Sequence, residues 1–345
     1  MNLFSDLRKE LAGWFNLSEL LLMLITTLPC LAMFWISGDH IWLKLGLVSI
    51  PLYIVQAKLR WGIFPLLGHW LLILTGFTLL YFTQDTSWRF ALLCACLGAC
   101  SIGLGVFGQK LRSLGSWILI PSLYLACDLY DAAHPQLMLK NYMAMLPKLP
   151  VTLIGPVLVL IYEYLKSMGQ KTDCYPLLWM NKGAFGSAEH SLGWTVAGIF
   201  IAIFVTALSV KLLGINHGQW VIWSSVSVST GELESMHRKL RHRSLGAIIG
   251  LALGIGWMFL IPQHSQINGL AAMLIPLTLV IRSYPVSFTS RCMLIAIAAG
   301  TLSQSETIAT LRMLNVMAGG IIGVLCAYLM MQLSHYYQAY RPNAG

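Results

Sequence analysis

The distribution of apolar residues is the feature that most restricts the fold of this chain. Of its 345 residues, 57% are hydrophobic and only 10% are charged, whereas soluble domains average about 25% charged residues. So few charges cannot cover the surface of a water-soluble protein of this length. Because a helix needs about 20 apolar residues to cross the hydrocarbon core, the long apolar stretches predict an integral membrane protein that contacts the lipid bilayer.

Twelve apolar segments predict an all-α polytopic membrane protein. They lie near 19–36, 41–57, 62–82, 90–108, 115–132, 146–165, 191–213, 217–230, 243–261, 268–282, 286–302 and 311–333. The eighth and tenth are short, and either could be re-entrant. With both termini in the cytoplasm, most basic residues fall on the cytoplasmic side. The net charge of +9 is then a topology signal spread over short loops, which argues against nucleic-acid binding.

The two halves of the chain resemble each other. His40–Gly68 can be laid on His217–Gly250, since each has a histidine, a tryptophan, a short apolar span, a basic stretch and a helix that opens with spaced glycines. Residues 147–165 can be set beside 312–330 in the same order. Six spans is an even number, so two six-helix repeats would be parallel. Such repeats commonly place a substrate path at their interface.

This repeat predicts a division of the chain into three parts. The N-terminal repeat covers 1–165, a polar cytoplasmic linker covers 166–190, and the C-terminal repeat covers 191–335. The linker contains several glycines and is too short for a folded domain of its own.

The eighth segment carries an unusual number of polar side chains for a membrane span. Trp220, Trp223, Ser224 and Ser227 have the spacing of one helix face, and Thr230 lies at its edge. This face predicts either packing of small residues between helices or a hydrated lining for a polar solute. A tryptophan at a span end is also a common interfacial anchor.

Basic residues follow this segment and recur at other span ends. Arg243 lies at the start of the ninth segment, where a buried charge costs about 2.5–3.5 kcal/mol and needs a partner or water. Arg238 and Arg243 are candidates for binding an anion because arginine grips carboxylates bidentately. Arg312 and Lys148 hold comparable places in the two halves, with snorkelling to the surface as the alternative. Arg60 belongs to the first half's basic stretch, and the substrate path is predicted to include it.

Four ionisable groups in or near spans are candidates for proton coupling: His69, Asp128, Glu163 and His217. His69 lies deepest, and a histidine titrates near neutral pH. A hydrogen bond to a neighbouring helix is the alternative for His69. Asp128 with Asp131 has DxxD spacing, but outward loop placement is the simpler interpretation, and no metal site is predicted.

A stripe of small residues opens the ninth segment. Gly246, Gly250 and Gly254 repeat at every fourth position, which places them on one helix face. Glycines at this spacing let two helix backbones approach closely, so the stripe predicts helix packing.

The C-terminal half resembles the fusaric acid resistance protein family, also called the aromatic acid exporter family. The resemblance rests on Trp220–Thr230, the basic turn Arg238–Arg243 and RSLGAIIGLALG at 243–254, and it covers about 195–330. It implies a multi-pass protein of the bacterial inner membrane that exports aromatic carboxylic acids, in many cases with a periplasmic adaptor. More distantly, the pattern is similar to plant aluminium-activated malate channels, in which two six-helix subunits form a basic anion path.

The residues and the resemblance together predict a secondary transporter that exports small organic anions under a proton or potential gradient, and not an enzyme. The chain has no GxxxxGK[ST] loop for ATP, and no cofactor is expected. A passive anion channel would use the same basic lining and is the first alternative. A non-transporting scaffold or a membrane enzyme in a biosynthetic complex is the second. Dimerisation through the glycine faces stays open.

Overall fold

The structure is a computed structural model, and its helices follow the apolar segments. It describes residues 17–104, 109–131, 137–168, 175–179, 192–229, 233–260, 270–271, 274–301 and 305–340. The N-terminal half contains α1 (Leu17–Ser37), α2 (Ile41–Leu59), α3 (Ile63–Phe82), α4 (Ser87–Gly103), α5 (Gln109–Asp131), α6 (Met138–Met145) and α7 (Val151–Met168). The C-terminal half contains α8 (Leu192–Leu212), α9 (Gln219–Val228), α10 (Leu233–Leu260), α11 (Tyr284–Thr301) and α12 (Ser305–Tyr340).

Six helical stretches in the described residues are long and apolar enough to cross a membrane. They are Ser18–Ser37, Ile41–Leu59, Ile63–Phe82, Met138–Met168, Ser235–Leu260 and Thr310–Ser334. Three shorter apolar helices cover Ser87–Cys100, Val196–Leu212 and Tyr284–Ala298. The chain is therefore an all-helical membrane protein, as predicted, while the number of twelve spans and their arrangement as two repeats stay predictions.

The two shortest predicted spans have little helix of their own. The eighth, predicted at 217–230, is the 10-residue helix α9. At 1.5 Å per residue, α9 rises about 15 Å, half the thickness of the hydrocarbon core. The tenth, predicted at 268–282, contains a five-residue 3₁₀ helix over Pro276–Val280.

The outer surface of the helices is apolar. Leu71 and Leu72 on α3, Leu253 on α10, and Leu325 and Leu329 on α12 are all at least half exposed. A soluble protein could not keep rows of exposed leucines, whereas lipid solvates them well. This surface therefore agrees with the length and hydropathy of the helices.

The basic stretch that precedes the ninth predicted span is helical. The sequence was interpreted as a turn over Arg238–Arg243, but α10 begins at Leu233 and includes all of it. No glycine or proline occurs between Leu233 and Leu245, and leucine, lysine, arginine and methionine are strong helix formers. The cations therefore project from the same rigid helix that carries the glycine stripe.

One hydrophobic core extends across both halves. It includes Phe77 of α3 and Cys94 of α4 from the N-terminal half, with Ile203 of α8 and Ile222 of α9 from the C-terminal half. Gly98 brings α4 close to α8, because a Cβ at this position would lie 2.1 Å from Ile203 Cδ1. The halves are thus packed against each other.

Candidate functional site

Four helices of the C-terminal half line a cleft that contains both charged and apolar side chains. Its walls carry three cations, three aromatic rings and one aliphatic side chain: Trp220 and Trp223 of α9, Arg243 of α10, Phe288 and Arg291 of α11, and Arg312 and Val316 of α12. We call it the arginine cleft. It contains about 240 Å³ of empty space, part of which is open to the outside. The free space enclosed between the side chains is about the size of a single water molecule.

The glycine stripe sets the register of α10 on α11. A Cβ at Gly246 would lie 3.0 Å from the Phe288 ring, and one at Gly250 would lie 2.5 Å from the Thr289 carbonyl oxygen. Gly254 faces Ala296 in the same way. Contacts that advance together along both helices mean that α10 and α11 run parallel. This close, parallel contact lets cations of both helices line one cleft.

Glycines of α12 set its register on α9. A Cβ at Gly319 would lie 2.0 Å from the Val221 carbonyl oxygen, and one at Gly323 would lie 3.0 Å from the Ser225 carbonyl oxygen. The Ser224 hydroxyl donates to the carbonyl oxygen of Val316. These contacts hold the first turns of α9 beside the segment of α12 that carries Arg312.

Arg243 is buried against aromatic rings. It is 6% exposed, and its Cζ lies 4.7 Å from the centroid of the Phe288 ring. Its Nη1 is 3.4 Å from the Tyr284 hydroxyl, a long hydrogen bond. Its Nε has no hydrogen-bond partner. The guanidinium therefore retains an unused donor at its Nε.

Arg312 has a similar environment on the other side of the cleft. It is 9% exposed, and its Cζ lies 4.7 Å from the centroid of the Trp220 ring. The Cys292 thiol lies beside it. Both the Arg312 Nε and the Trp220 Nε1 lack a partner. Two unused donors thus lie beside one cation–π contact.

Arg291 completes the set, and the sequence interpretation missed it. Its Nε donates to the Thr278 hydroxyl at 3.1 Å and its Nη2 to the Ser287 hydroxyl at 3.3 Å. These bonds fix the half-buried side chain without neutralising it. The available signal was a cation within the apolar helix α11, four residues after Ser287 and three after Phe288, where it shares their face.

The three arginines concentrate positive charge, and no counter-ion lies among the residues that the structure describes. In the described part of the chain, the two ion pairs formed are Lys44–Asp128 and Lys148–Asp39, and no carboxylate pairs with Arg243, Arg291 or Arg312. Like charges in a membrane-embedded site repel one another, and each loses hydration. An anion that enters the cleft removes both costs. Planar guanidinium groups beside aromatic rings suit an anion that carries a carboxylate and an apolar, preferably aromatic, body.

The hydroxyls of α9 do not line the cleft. Ser224 is buried in its bond to α12, and Ser227 is part-exposed. Ser225 is buried with no partner for its hydroxyl. Thr230 lies outside the described residues. Of the predicted polar face, the two tryptophans reach the cleft.

Three of the predicted cations also lie elsewhere. Arg238 is exposed on α10. Arg60 ends α2 in the left-handed conformation, with its Cζ 6.0 Å from the Tyr175 ring centroid. Lys148 forms an ion pair with Asp39. The arrangement brings together Arg243 and Arg312 from the predicted set and adds Arg291.

The candidates for proton coupling are dispersed. His69 is buried, with its Nε2 3.4 Å from the Trp117 carbonyl oxygen and no partner for its Nδ1. Asp128 forms an ion pair with Lys44 at 2.6 Å. Glu163 is half-buried on α7, and the ring of His217 stacks on Trp220 with centroids 4.9 Å apart. Of the four, His217 alone contacts a side chain of the cleft.

Comparison with known proteins identifies one family. A family model described as fusaric acid resistance protein-like matches residues 205–326, about a third of the chain. The resemblance seen in the sequence is thereby confirmed for this region, which includes every residue that lines the arginine cleft. No curated protein and no solved structure matches the chain.

Proposed function

We propose that this chain is a secondary transporter that exports small organic anions, most simply aromatic carboxylates, through the arginine cleft. The observation that carries the proposal is the group of three arginines, Arg243, Arg291 and Arg312, without a carboxylate partner in the described residues. A substrate carboxylate would supply the missing negative charge, and its ring would pack on the indoles and the phenyl group of the cleft. The fusaric acid resistance-like region of the chain supports the same function.

The cleft is too narrow to be an open conducting path in this structure. A conducting anion channel needs a continuous hydrated path. Here the enclosed free space is about the size of one water molecule. A site that is closed in one state and opened in another is what alternating access requires.

Two parallel repeats form part of the proposal, and the helix contacts support them. Under it, α1, α2, α3, α5 and α7 correspond to α8, α9, α10, α11 and α12. Four pairs pack in the N-terminal half and again in the C-terminal half: α1–α2 with α8–α9, α1–α7 with α8–α12, α2–α7 with α9–α12, and α3–α5 with α10–α11. The boundaries proposed from the sequence, 1–165, 166–190 and 191–335, follow this correspondence.

The direction of the paired helices supports the same correspondence. In the N-terminal half, His69 of α3 bonds to Trp117 of α5, and four residues later the Ile73 carbonyl accepts from Ser122. These contacts advance together, so α3 and α5 run parallel, as α10 and α11 do. A parallel pair of helices joined through one returning segment in each half is an arrangement that duplication would produce.

The test is the handling of aromatic acids by cells. Cells that lack this protein and the same cells complemented with it are exposed to a panel of aromatic carboxylic acids. We expect the deficient cells to be more sensitive and to accumulate more of at least one acid, because export is lost. Equal sensitivity and equal accumulation across the whole panel would contradict the proposed function.

A further inference from the structure

The turn that leads into α9 has a backbone conformation that is uncommon outside glycine. His217, two residues before α9 begins, has a φ of +52°. In this left-handed region the Cβ of any other residue lies too close to its own backbone. Such a conformation persists where surrounding contacts impose it, and it often marks a functional site. The contacts made to this turn therefore show what holds it.

Asn315 of α12 makes those contacts. Its side-chain Nδ2 donates to the carbonyl oxygen of Asn216 at 3.0 Å and to that of His217 at 3.3 Å. An amide group carries two protons, so one side chain can serve both acceptors. The two carbonyls belong to the peptide groups on either side of the His217 Cα, and their relative orientation defines φ and ψ of this residue. Asn315 is 6% exposed, so its bonds are shielded from water.

The same turn positions Trp220. The His217 carbonyl oxygen accepts from the Trp220 N–H at 3.1 Å as well, and the His217 ring stacks on the indole with centroids 4.9 Å apart. A rotation of the His217 backbone would change both contacts. The conformation of His217 therefore fixes the backbone and the ring of Trp220 together.

These contacts form a closed ring that returns to the arginine cleft. The Arg312 Cζ lies 4.7 Å from the centroid of the Trp220 ring. Arg312 is three residues before Asn315, so the two side chains are neighbours on α12. The helix α12 thus contacts the ring of Trp220 through Arg312 and controls its backbone through Asn315 and His217. The Trp220 Nε1 and the Arg312 Nε, both without a partner, are held beside each other by this arrangement.

We propose that Asn315 is a positioning residue for the arginine cleft. By holding His217 in its left-handed conformation, it keeps the Trp220 indole N–H beside the Arg312 guanidinium, where one substrate carboxylate binds both. Without the amide, the turn relaxes to a negative φ, the His217 carbonyl turns, and Trp220 moves away from Arg312. This inference rests on the proposed function and adds a residue that does not line the cleft itself.

The first test measures benzoate affinity in the purified full-length protein in nanodiscs, by equilibrium dialysis of labelled benzoate. We expect Asn315→Ala to weaken binding at least about tenfold, the effect of losing one hydrogen bond to a charged group. Ser224→Ala is the matched control, because it removes another buried hydrogen bond between α9 and α12, the one to the Val316 carbonyl oxygen. It leaves the turn intact and should change the affinity by less than about twofold.

The second test separates positioning from packing by removing the backbone strain. Glycine adopts a positive φ without strain, so in His217→Gly the turn no longer depends on Asn315. We expect Asn315→Ala to weaken benzoate binding by less than about threefold when it is added to His217→Gly, against at least about tenfold in the wild type. A packing role alone would give equal losses in both backgrounds, because the same atoms are removed.

Distinct results would overturn the inference and the proposed function. Wild-type affinity in Asn315→Ala, an equal loss in Ser224→Ala, or equal effects of Asn315→Ala in the two backgrounds would each overturn the inference alone. If Asn315→Ala does not fold, the double variant with His217→Gly must fold and bind benzoate as His217→Gly does, and its failure to fold would also overturn the inference. A wild-type protein that binds neither benzoate nor any acid of the cellular panel would overturn the proposed function, and the inference with it.

Discussion

At the scale of single residues, the distribution of counter-ions separates the two halves. Lys44 and Lys148 of the N-terminal half each have an aspartate partner. The groups next to the three arginines of the cleft are aromatic rings, hydroxyls and a thiol. None of these groups carries negative charge. Residues that stay charged and unpaired inside a membrane protein are expected to act on an ion.

The pair Lys148–Asp39 makes a prediction about pH. The hydrogen bonds from the Lys148 ammonium and from the Ile41 N–H hold the pKa of the Asp39 carboxyl below its ordinary value. Because the folded-state pKa is depressed, the pair stabilises the fold above the unfolded-state pKa of about 3.9. This stabilisation is lost as the pH falls through the folded-state pKa. We expect Asp39→Asn to lower the melting temperature at pH 7, and the difference from wild type to close below about pH 4.

The pH effect is small and has a clear control. The Asp39 and Lys148 side chains are 43% and 31% exposed, so solvent screens the pair and its contribution stays below about 1 kcal/mol. Lys148→Gln should lower the melting temperature by the same amount and with the same pH dependence. The double variant should have a melting temperature no lower than that of either single variant. A difference that persists unchanged at low pH would show that Asp39 acts through something other than its charge.

At the scale of helices, the sequence predicts where elements lie better than how they meet. The third span was predicted at 62–82 and is the helix Ile63–Phe82, since hydropathy and flanking breakers are local properties. By the positive-inside rule, the sequence predicts Arg243 on the cytoplasmic side of the membrane and Arg312 on the other side. The structure brings them to one cleft because α10 runs antiparallel to α12, with Leu240 beside Gly320. Such a register depends on contacts between distant segments, which one sequence does not contain.

The glycine stripe gives a prediction at this scale. Gly250→Ala places a methyl group 2.5 Å from the Thr289 carbonyl oxygen, so α10 and α11 must separate. We expect a loss of about 1–3 kcal/mol from overpacking, seen as a lower melting temperature in nanodiscs. Gly256→Ala on the same helix is the control, because nothing lies within 4 Å of its added methyl group. It should be neutral or slightly stabilising, since alanine favours helix. Equal effects of the two changes would contradict the packing described for α10.

At the scale of the whole molecule, each half packs the fourth segment of its proposed repeat against the first helix of the other half. α4, the fourth predicted span of the first repeat, packs on α8, the first helix of the other half. The 3₁₀ helix Pro276–Val280, in the fourth predicted span of the second repeat, packs on α1. This reciprocity supports the proposed duplication. The charge pairing differs between the halves: Lys148 pairs with Asp39 in the N-terminal half, whereas no carboxylate of the described residues pairs with Arg312.

The central claim is that the arginine cleft carries organic anions, and flux through the reconstituted protein tests it most directly. Labelled benzoate is given to proteoliposomes with an imposed proton or potential gradient, using wild type, Arg243→Ala and Arg241→Ala. Arg241 is exposed two residues from Arg243 on the same helix, so it controls for loss of one positive charge from α10. We predict concentrative uptake by wild type and Arg241→Ala, and at least about a tenfold lower rate for Arg243→Ala, whose buried guanidinium is lost. Full uptake by a correctly folded Arg243→Ala protein would contradict the account.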